Sequence, residues 1–346
     1  MDPLRSAEFT PATTYLNTSS CGLLPRRAVD AVRALAEENA AGGHGISSES
    51  VDAARAAFAR LVGVSAERVA VGSSVSTHVG LIAASLEAGS EVVIPEGDFS
   101  SVAGPFSVRG DLKVRYVPLD RLAESVRPST SLVAFSVVQS ADGRIADLDA
   151  VRAAAAAHGA RTLADASQAA GWLPLDAGAY DYTVTGAFKY LMCPRGTSFL
   201  TVTEEAQESV VPLYAAWAAA QEPMNSTYGP VEQLARSARR FDAAPSFLSY
   251  CGAEQSLALL EEIGIDAIHA HDTALAARFR AGLAGLGHEP VPSGTAIVAV
   301  RGMGDRADDL SRARVSVSAR AGYLRAAFHL YNSAADVDRA LDVLAG

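Results

Sequence analysis

Lysine is almost absent from this sequence of 346 residues. Of the 29 basic residues 27 are arginine, which leaves Lys113 and Lys189. Arginine stays protonated and cannot attack a carbonyl, whereas a lysine amine that has lost its proton can. Lys113 opens a strand-like segment between charged neighbours, as a solvent-exposed edge lysine would. Lys189 lies between Phe188 and Tyr190, which makes it the candidate for amine chemistry.

Cysteine is also scarce. Cys21, Cys193 and Cys251 are too few and too far apart in the sequence for a disulfide framework or a cysteine-rich zinc site. We therefore expect three free thiols and no metal site. The sequence also lacks a Gly-x4-Gly-Lys-Ser/Thr loop, a Gly-x-Ser-x-Gly elbow and a His-Glu-x-x-His helix. These absences argue against a nucleoside triphosphatase, an elbow-type hydrolase and a zinc protease.

Positive net charge and long apolar runs are absent too. The formal net charge is -10, which works against binding to the phosphate backbone of nucleic acids. No run of about 18 apolar residues occurs, and residues 1–14 lack the basic-then-apolar order of a secretory signal. We expect no nucleic-acid partner, no membrane association and a cytoplasmic location. Hydrophobic residues make up 49% of the chain, enough for a large buried core.

Short apolar segments alternate with helical ones through the middle of the chain. Six strands are predicted, at residues 91–95, 114–119, 132–138, 161–166, 182–184 and 198–202. Helices such as 76–86 and 148–158 separate them. This alternation is typical of an α/β fold with a mostly parallel sheet covered by helices, whose active site lies beyond the carboxyl ends of the strands.

The pattern changes after about residue 235. Two long amphipathic helices are predicted there, at 252–263 and 267–286, followed by strands at 295–301, 315–319 and 324–330 and a last helix from Ser333. We therefore expect three parts: an N-terminal segment near the active site (residues 1–20), a large domain (residues 21–235) and a smaller C-terminal α+β domain (residues 236–346).

Asp165 and Gln168 lie at the end of a predicted buried strand, and Lys189 follows the next one. A buried carboxylate must be paired or hydrogen-bonded, although a helix N-cap is an alternative role for Asp165. Burial disfavours the protonated form of an amine and makes it a better nucleophile. Pyridoxal phosphate requires this pair: the carboxylate keeps the pyridine nitrogen protonated, and the amine forms a Schiff base.

A phosphate site and a stacking residue can be sought nearby. Ser73 and Ser74 lie between the strand-like residues 69–72 and a predicted helix. Their hydroxyls and the free N–H groups of the turn could hold a phosphate dianion, although Ser and Thr also begin many helices simply as caps. Phe99 could stack on a cofactor ring, with a place in the core as the alternative.

Together these motifs resemble the class V aminotransferase and cysteine desulfurase-like group of fold-type I pyridoxal-phosphate enzymes. The resemblance spans nearly the whole chain, and its most specific part is Asp165-x-x-Gln168 followed by Lys189. It implies a large domain and a smaller one, pyridoxal 5'-phosphate as cofactor, and a homodimer with active sites at the subunit interface. In such a dimer Arg240–Asp242 is expected to reach the other subunit's site.

The resemblance also implies roles for the residues that hold the cofactor. Lys189 is the Schiff-base lysine and a catalytic residue, as is Asp165, which pairs with the pyridine nitrogen. Gln168 contacts the ring hydroxyl, and Ser73 and Ser74 fall where the family binds the phosphate.

Three further positions follow from the resemblance. Phe99 falls where a residue stacks on the ring, and Ser140 falls where a polar side chain approaches the ring oxygen. Arg325 falls where the family binds the substrate carboxylate, which suits the two-pronged guanidinium group.

The sequence departs from the family at several positions. Gly186 and Phe188 replace the Ser and His that the family often has before the lysine, which leaves Thr185 as the substitute phosphate contact. Residues 315–323 contain no cysteine where desulfurases have a nucleophilic thiol, so a persulfide mechanism is not expected. Cys21 and Cys193 are expected to be structural. Gly186 and Phe188 also support an alternative of another class, a catalytically idle binding subunit.

The implied reaction begins with an amino acid bound as a Schiff base, from which Lys189 removes the Cα proton. Return of the proton to the cofactor gives transamination. Loss of a β substituent gives elimination such as C–S lysis, and return of the proton to the other face gives racemisation. We expect transamination, with elimination and racemisation as the alternatives.

Overall fold

The structure, a computed structural model, describes residues 1–43 and 48–346. Its strands are β1 (Thr14–Tyr15), β2 (Val69–Gly72), β3 (Glu91–Pro95), β4 (Lys113–Val117), β5 (Thr130–Ser136), β6 (Arg161–Asp165), β7 (Tyr182–Gly186), β8 (Ser198–Val202), β9 (Ile297–Arg301), β10 (Val315–Ser316), β11 (Ser318–Arg320) and β12 (Tyr323–Ala327). Its α-helices are α1 (Arg26–Ala40), α2 (Ser48–Leu61), α3 (Val75–Ser85), α4 (Ser100–Ser107), α5 (Leu148–His158), α6 (Glu204–Gln207), α7 (Phe247–Ile263), α8 (Ile265–Gly285), α9 (Arg306–Arg312) and α10 (Ala334–Ala345).

The described residues form a seven-stranded central sheet in the order β2-β8-β7-β6-β5-β3-β4. Neighbouring strands from β4 to β7 run parallel, whereas β8 is antiparallel to both β7 and β2. The sheet is therefore mostly parallel, as the sequence predicts. Because the parallel strands share one direction, β3, β5, β6 and β7 end at the same edge.

Helices cover both faces of this sheet, and the alternation of side chains along each strand explains how. In β3, Val92 and Ile94 pack with the buried residues of α3 and α4, whereas Val93 packs with those of α2 and α7. On the second face the rings of Phe58 in α2 and Phe199 in β8 stack at 4.2 Å between centroids. Burial of both faces accounts for the nearly continuous apolar character of the strands.

Several predicted elements agree with the structure in their bounds: β3, β8 and α5 begin and end where the sequence places them. The single strand predicted at 315–319 is wrong. It is divided at Val317 into β10, which pairs with β1, and β11, which pairs with β12. The apolar pattern could not reveal the division, because both halves are extended and carry similar residues.

A second, three-stranded sheet of order β11-β12-β9 is antiparallel and packs against α8 and α10. Helix α7 instead packs on α1 and α2, beside the central sheet. The proposed domain boundary at residue 236 stays a prediction, but this packing favours a boundary after α7. None of the helices among the described residues is long and apolar enough to cross a membrane.

A tight turn joins β11 to β12. Arg320 pairs with Tyr323, and the two residues between them, Ala321 and Gly322, have φ of 48° and 80°. Two positive φ values in a two-residue hairpin are typical of a type I′ turn, which prefers Asn-Gly. Glycine adopts this backbone conformation without strain, whereas alanine at φ 48° is strained by about 1–2 kcal/mol.

The variant Ala321→Asn is therefore expected to stabilise the protein by about 1 kcal/mol, because asparagine tolerates the left-handed region better than alanine. Urea unfolding monitored by circular dichroism measures the change. Ala319→Asn serves as the control, since Ala319 is exposed in the neighbouring strand and Asn is unfavourable in strands. Equal effects of the two substitutions would contradict the turn assignment.

Candidate active site

A cavity of about 480 Å³ lies beyond the carboxyl ends of β3, β5 and β7, where the second sheet approaches the first. Its lining residues are Ser19, Ser20, Gly97, Asp98, Phe99, Ser100, Ser140, Ala141, Phe188, Lys189, Arg195, Arg320, Ala321 and Arg325. Four predicted site residues therefore meet in one cavity: Lys189, Phe99, Ser140 and Arg325. They come from parts of the chain that are far apart in sequence.

Lys189 lies just after β7, and only 6% of it is exposed. Its Nζ is 5.0 Å from the centroid of the Phe99 ring and 5.8 Å from that of Phe188. Burial lowers the pKa of Lys189 to about 8; the negative charge of Asp165 opposes this, and Arg325 adds to it. A larger fraction of this amine is therefore neutral at physiological pH than for an exposed lysine.

Asp165 ends β6 and is buried. Its Oδ1 accepts a hydrogen bond of 2.8 Å from the backbone N–H of Ser167, whose own Oγ accepts one of 2.8 Å from Gly186 N–H. Burial raises the pKa of Asp165, and the charge of Lys189 lowers it. Asp165 and Lys189 are therefore close enough to influence each other's protonation. A cation nearby favours the ionised form of a buried carboxylate.

Gln168 is buried next to the cavity. Its side-chain NH₂ donates to the carbonyl of Ser19 at 2.9 Å and to Ser140 Oγ at 3.1 Å. Gln168 Oε1 and Ser19 Oγ are buried and have no hydrogen-bond partner among the described residues. Buried polar atoms normally have partners, so this corner of the site presents one amide oxygen and one hydroxyl to a ligand.

Ser73 and Ser74 lie at the start of α3 and are not among the cavity-lining residues. Ser74 is the N-cap: its Oγ accepts from Thr77 N–H at 3.3 Å and contacts the Thr77 hydroxyl at 2.8 Å. Ser73 is exposed. A Cβ at Gly186 would be 3.4 Å from Val75 Cγ2. Gly186 thus faces the beginning of α3, and its lack of a side chain lets Val75 and Ser167 pack closely against it.

Thr185 lies elsewhere. Its neighbour Val184 pairs with Asp165, and paired residues share a face of the sheet. Because successive residues of a strand alternate between faces, Thr185 points to the opposite face from Asp165. Its hydroxyl is buried with no partner among the described residues. The structure does not place Thr185 in the cavity, and its role as a phosphate contact stays a prediction.

Arg325 lies on β12 and is almost completely buried, with 1% exposed. It donates from Nε to Ser318 Oγ at 3.0 Å, from Nη2 to Ser20 Oγ at 2.9 Å and from Nη1 to Ser140 Oγ at 3.1 Å. It also contacts the carbonyl of Ser140. Burial lowers the pKa of Arg325 to about 10, so the group stays cationic at neutral pH. Hydroxyls from three segments hold it in place.

Sequence reasoning missed Asp98, Arg195 and Arg320 as site residues. Asp98 Oδ2 accepts from Ser136 N–H at 2.9 Å and from Gln139 Nε2 at 3.1 Å, which ties the end of β5 to the loop after β3. An acidic residue soon after a buried strand was also the signal for Asp165, so Asp98 could have been found. Arg195 and Arg320 had no such signal among the many arginines of the chain.

The three cysteines are all described, and none of them lines the cavity. Cys193 is buried, and its Sγ donates to the carbonyl of Leu191 at 3.4 Å. Burial raises the pKa of this thiol well above its usual range. A neutral thiol is a poor nucleophile, which agrees with a structural role for Cys193. His78 is also buried, at 3.0 Å from Ser198 Oγ, as a packed residue of α3.

The expectation that Arg240–Asp242 extends to another subunit is wrong for two of the three residues. Phe241 is buried in the core under α3. Asp242 is buried and receives hydrogen bonds from Arg55 at 3.2 and 2.7 Å. Both side chains are fully used within the chain, and only Arg240 remains partly exposed. The sequence did not reveal this, because Arg55 precedes Asp242 by 187 residues.

Comparisons with known proteins agree with this geometry. The family model of the class-V aminotransferases matches residues 14–296. The chain is 29% identical over 317 residues to the uncharacterized aminotransferase YcbU of Bacillus subtilis, covering 86% of this chain and 84% of that protein. It is 29% identical over 307 residues to the kynureninase of Deinococcus radiodurans, covering 80% of this chain and 74% of that protein.

The fold is shared with solved structures. A complex of the cystine C-S lyase C-DES with its reaction product, cysteine persulfide, superposes with a TM-score of 0.86. The match covers 96% of this chain and 97% of that one at 22% sequence identity. At this level of identity the likeness concerns the architecture, with its large sheet and its smaller C-terminal part.

Proposed function

This chain belongs to the class V aminotransferase family of fold-type I pyridoxal 5'-phosphate enzymes, and from that premise we propose that it transaminates an amino acid after removing its Cα proton. The family match confirms the resemblance, the fold and the cofactor that the sequence predicts. It also confirms that the protein is an enzyme rather than an idle binding subunit. The observation that carries the proposed reaction is the single cavity that brings buried Lys189 and buried Arg325 together, with the Phe99 ring 5.0 Å from Lys189 Nζ.

The residues present fit pyridoxal 5'-phosphate. Gln168 Oε1 and Ser19 Oγ are the unpartnered polar atoms that a ring hydroxyl would satisfy. Phe99 lies over the lysine, where a flat ring would stack. Ser73 and the N–H groups at the start of α3 offer a site for the phosphate.

When bound, this cofactor supplies an aldehyde for amines and a protonated ring that takes up the electron pair left at Cα. The chain's residues do the rest. Arg325, already fixed by three serines, binds the substrate carboxylate through its guanidinium edge. Lys189, whose pKa is about 8, accepts the Cα proton in its neutral form. Asp165 keeps a proton on the ring nitrogen by providing the opposite charge in a buried setting.

Elimination of the C–S lyase type and racemisation share this proton removal and differ only in the step after it. The cavity contains no thiol among its lining residues, which argues against a persulfide mechanism. Transamination is preferred, since the matching family is that of the class-V aminotransferases and YcbU bears the name of an aminotransferase.

An assay with and without a 2-oxo acid acceptor tests the proposed reaction. Purified protein loaded with pyridoxal 5'-phosphate is incubated with a panel of L-amino acids, and products are separated by chromatography. We expect amino-group transfer that requires the acceptor. Release of ammonia and a 2-oxo acid without an acceptor would indicate elimination instead, and conversion to the D-amino acid would indicate racemisation.

We further infer that two copies of the chain associate. The segment after β8 exposes several large apolar side chains: Val211 (52%), Leu213 (56%), Tyr214 (46%), Met224 (85%) and Tyr228 (92%). Clustered exposed apolar residues are characteristic of interaction surfaces. Arg240 lies in the same part of the chain and is the remaining candidate for a contact with the other copy. A cytoplasmic location stays a prediction.

A further inference from the structure

The cavity is strongly positive although the chain as a whole is acidic. Its lining residues include Lys189, Arg195, Arg320 and Arg325, whereas the formal net charge of the chain is -10. Basic side chains gathered around one concave site create a positive potential that attracts anions. The charge of the cavity therefore indicates that its ligands carry more than one negative group.

The proposed function accounts for two of these four basic residues. Lys189 serves as the amine and Arg325 as the group that binds the α-carboxylate. Arg195 and Arg320 remain. Both are exposed at the cavity, and neither forms an ion pair with any described residue, although many other arginines of the chain do. They are two positive charges without a counter-charge from the described part of this chain.

A ring contact positions the side chain of Arg195, and a tight turn fixes the backbone of Arg320. The guanidinium carbon of Arg195 lies 4.5 Å from the centroid of the Phe188 ring, which borders the lysine. Arg320 is the last residue of β11 and directly precedes the strained Ala321, itself a lining residue. Strained backbone is often retained where it positions a functional group. Arg320 also lies near enough to Arg325 for its charge to lower the pKa of Arg325.

The acidic group of the cavity forms no ion pair with either arginine. Asp98 is the acidic residue among the lining residues, but its carboxylate is already occupied. Oδ1 accepts from Phe99 N–H at 2.6 Å and contacts the Ser136 hydroxyl. Oδ2 accepts from Ser136 N–H at 2.9 Å and from Gln139 at 3.1 Å. These bonds hold the carboxylate of Asp98 against the end of β5 and the start of α4.

We propose that the substrate is an amino acid whose side chain ends in a second anionic group, a carboxylate, and that Arg195 and Arg320 bind this group while Arg325 binds the α-carboxylate. The proposal rests on the proposed function and adds the substrate class to it. Two guanidinium groups recognise a carboxylate by charge and by paired hydrogen bonds. An uncharged amide of the same shape would leave them unneutralised.

Matched substrate pairs test this in the loaded enzyme. Aspartate and asparagine differ only at the end of the side chain, as do glutamate and glutamine. We expect kcat/KM to be at least about tenfold higher for the acid of one pair, since each 1.4 kcal/mol of binding is a factor of ten. Arg195→Gln and Arg320→Gln should each lower the acid-to-amide ratio by about the same factor. Arg121→Gln, an exposed arginine outside the cavity, is the control and should leave the ratio unchanged.

A binding measurement separates this inference from the proposed reaction. Calorimetry measures binding without turnover. It compares glutarate, which has two carboxylates, with butyrate, which has one. Tighter binding of glutarate that is lost in Arg195→Gln and Arg320→Gln supports the inference even if the reaction proves not to be transamination. Equal handling of acids and amides by an active enzyme overturns the inference and leaves the proposed function intact. Weaker cofactor binding in the two variants, with unchanged glutarate preference, would assign the arginines to the phosphate and also overturn it.

Discussion

Replacing Lys189 with alanine is expected to lower amino-acid turnover by on the order of 10³-fold or more, because a positioned acid–base group alone contributes about 10²–10⁴. The variant also loses the amine through which the cofactor would be held covalently. The buried position and lowered pKa of Lys189 single it out for this role. Steady-state turnover with pyridoxal 5'-phosphate in excess measures the loss.

The chain offers a matched control, because its other lysine, Lys113, is exposed on the edge strand β4. Lys113→Ala should keep the activity of the parent protein. After borohydride reduction, mass spectrometry should find the cofactor on the peptide with Lys189 and not on the one with Lys113. Activity retained in Lys189→Ala, or label on Lys113, would show that the wrong amine has been chosen.

The same amine should set a pH dependence. Its pKa is about 8 rather than the usual 10.5, and the neutral form is the one that reacts with an aldehyde. Capture of pyridoxal 5'-phosphate by cofactor-free protein should therefore speed up as the pH rises and level off above about pH 8. Stopped-flow absorbance records the rate, and a plateau reached only near the usual lysine pKa of 10.5 would contradict the lowered pKa.

Removing the charge of Asp242 is expected to cost about 3–5 kcal/mol of unfolding free energy, since breaking a buried ion pair leaves the partner charge uncompensated. Asp242 accepts two hydrogen bonds from Arg55 and one of 2.8 Å from Val71 N–H, and both charged side chains are buried. The group thereby links α2 to β2 and to the segment before α7. Asp242→Asn preserves the shape while removing the charge, and urea unfolding measures the loss.

An exposed ion pair provides the comparison. Arg278 and Asp338 are joined at 2.7 Å, but their side chains are 52% and 47% exposed. Asp338→Asn should cost no more than about 1 kcal/mol, because water screens such pairs. If the two substitutions had equal effects, the burial of Asp242 would not be what makes its charge important.

The central sheet could be predicted because its signals are local. Strands buried on both faces are short apolar segments between turn residues, which explains the agreement for β3 and β8. The antiparallel direction of β8 could not be predicted, since direction depends on pairing with β7 and β2 rather than on the strand's own residues. The break at Val317 could not be predicted either, because β10 and β11 differ in their pairing partners and not in their apolar pattern.

The site was predictable to the extent that its chemistry depends on rare residues. A nearly lysine-free chain drew attention to Lys189, and a carboxylate after a buried strand drew attention to Asp165. The serines that fix Arg325 were harder to predict from the sequence. Ser140 was predicted, but for a different contact, and Ser20 and Ser318 were not predicted at all. Serine is common, and these three meet only through tertiary packing.

The pairing of β1 with β10 also has a consequence for biosynthesis. Thr14 lies beside Val315, and Ser20 accepts the hydrogen bond from Arg325 that helps to fix the guanidinium group. Roughly 300 residues separate these partners, which at about 5–20 residues per second corresponds to about 15–60 s of translation. The proposed pocket for the substrate carboxylate therefore cannot form on the ribosome until most of the chain has emerged, and nascent chains that stop before β10 should be inactive.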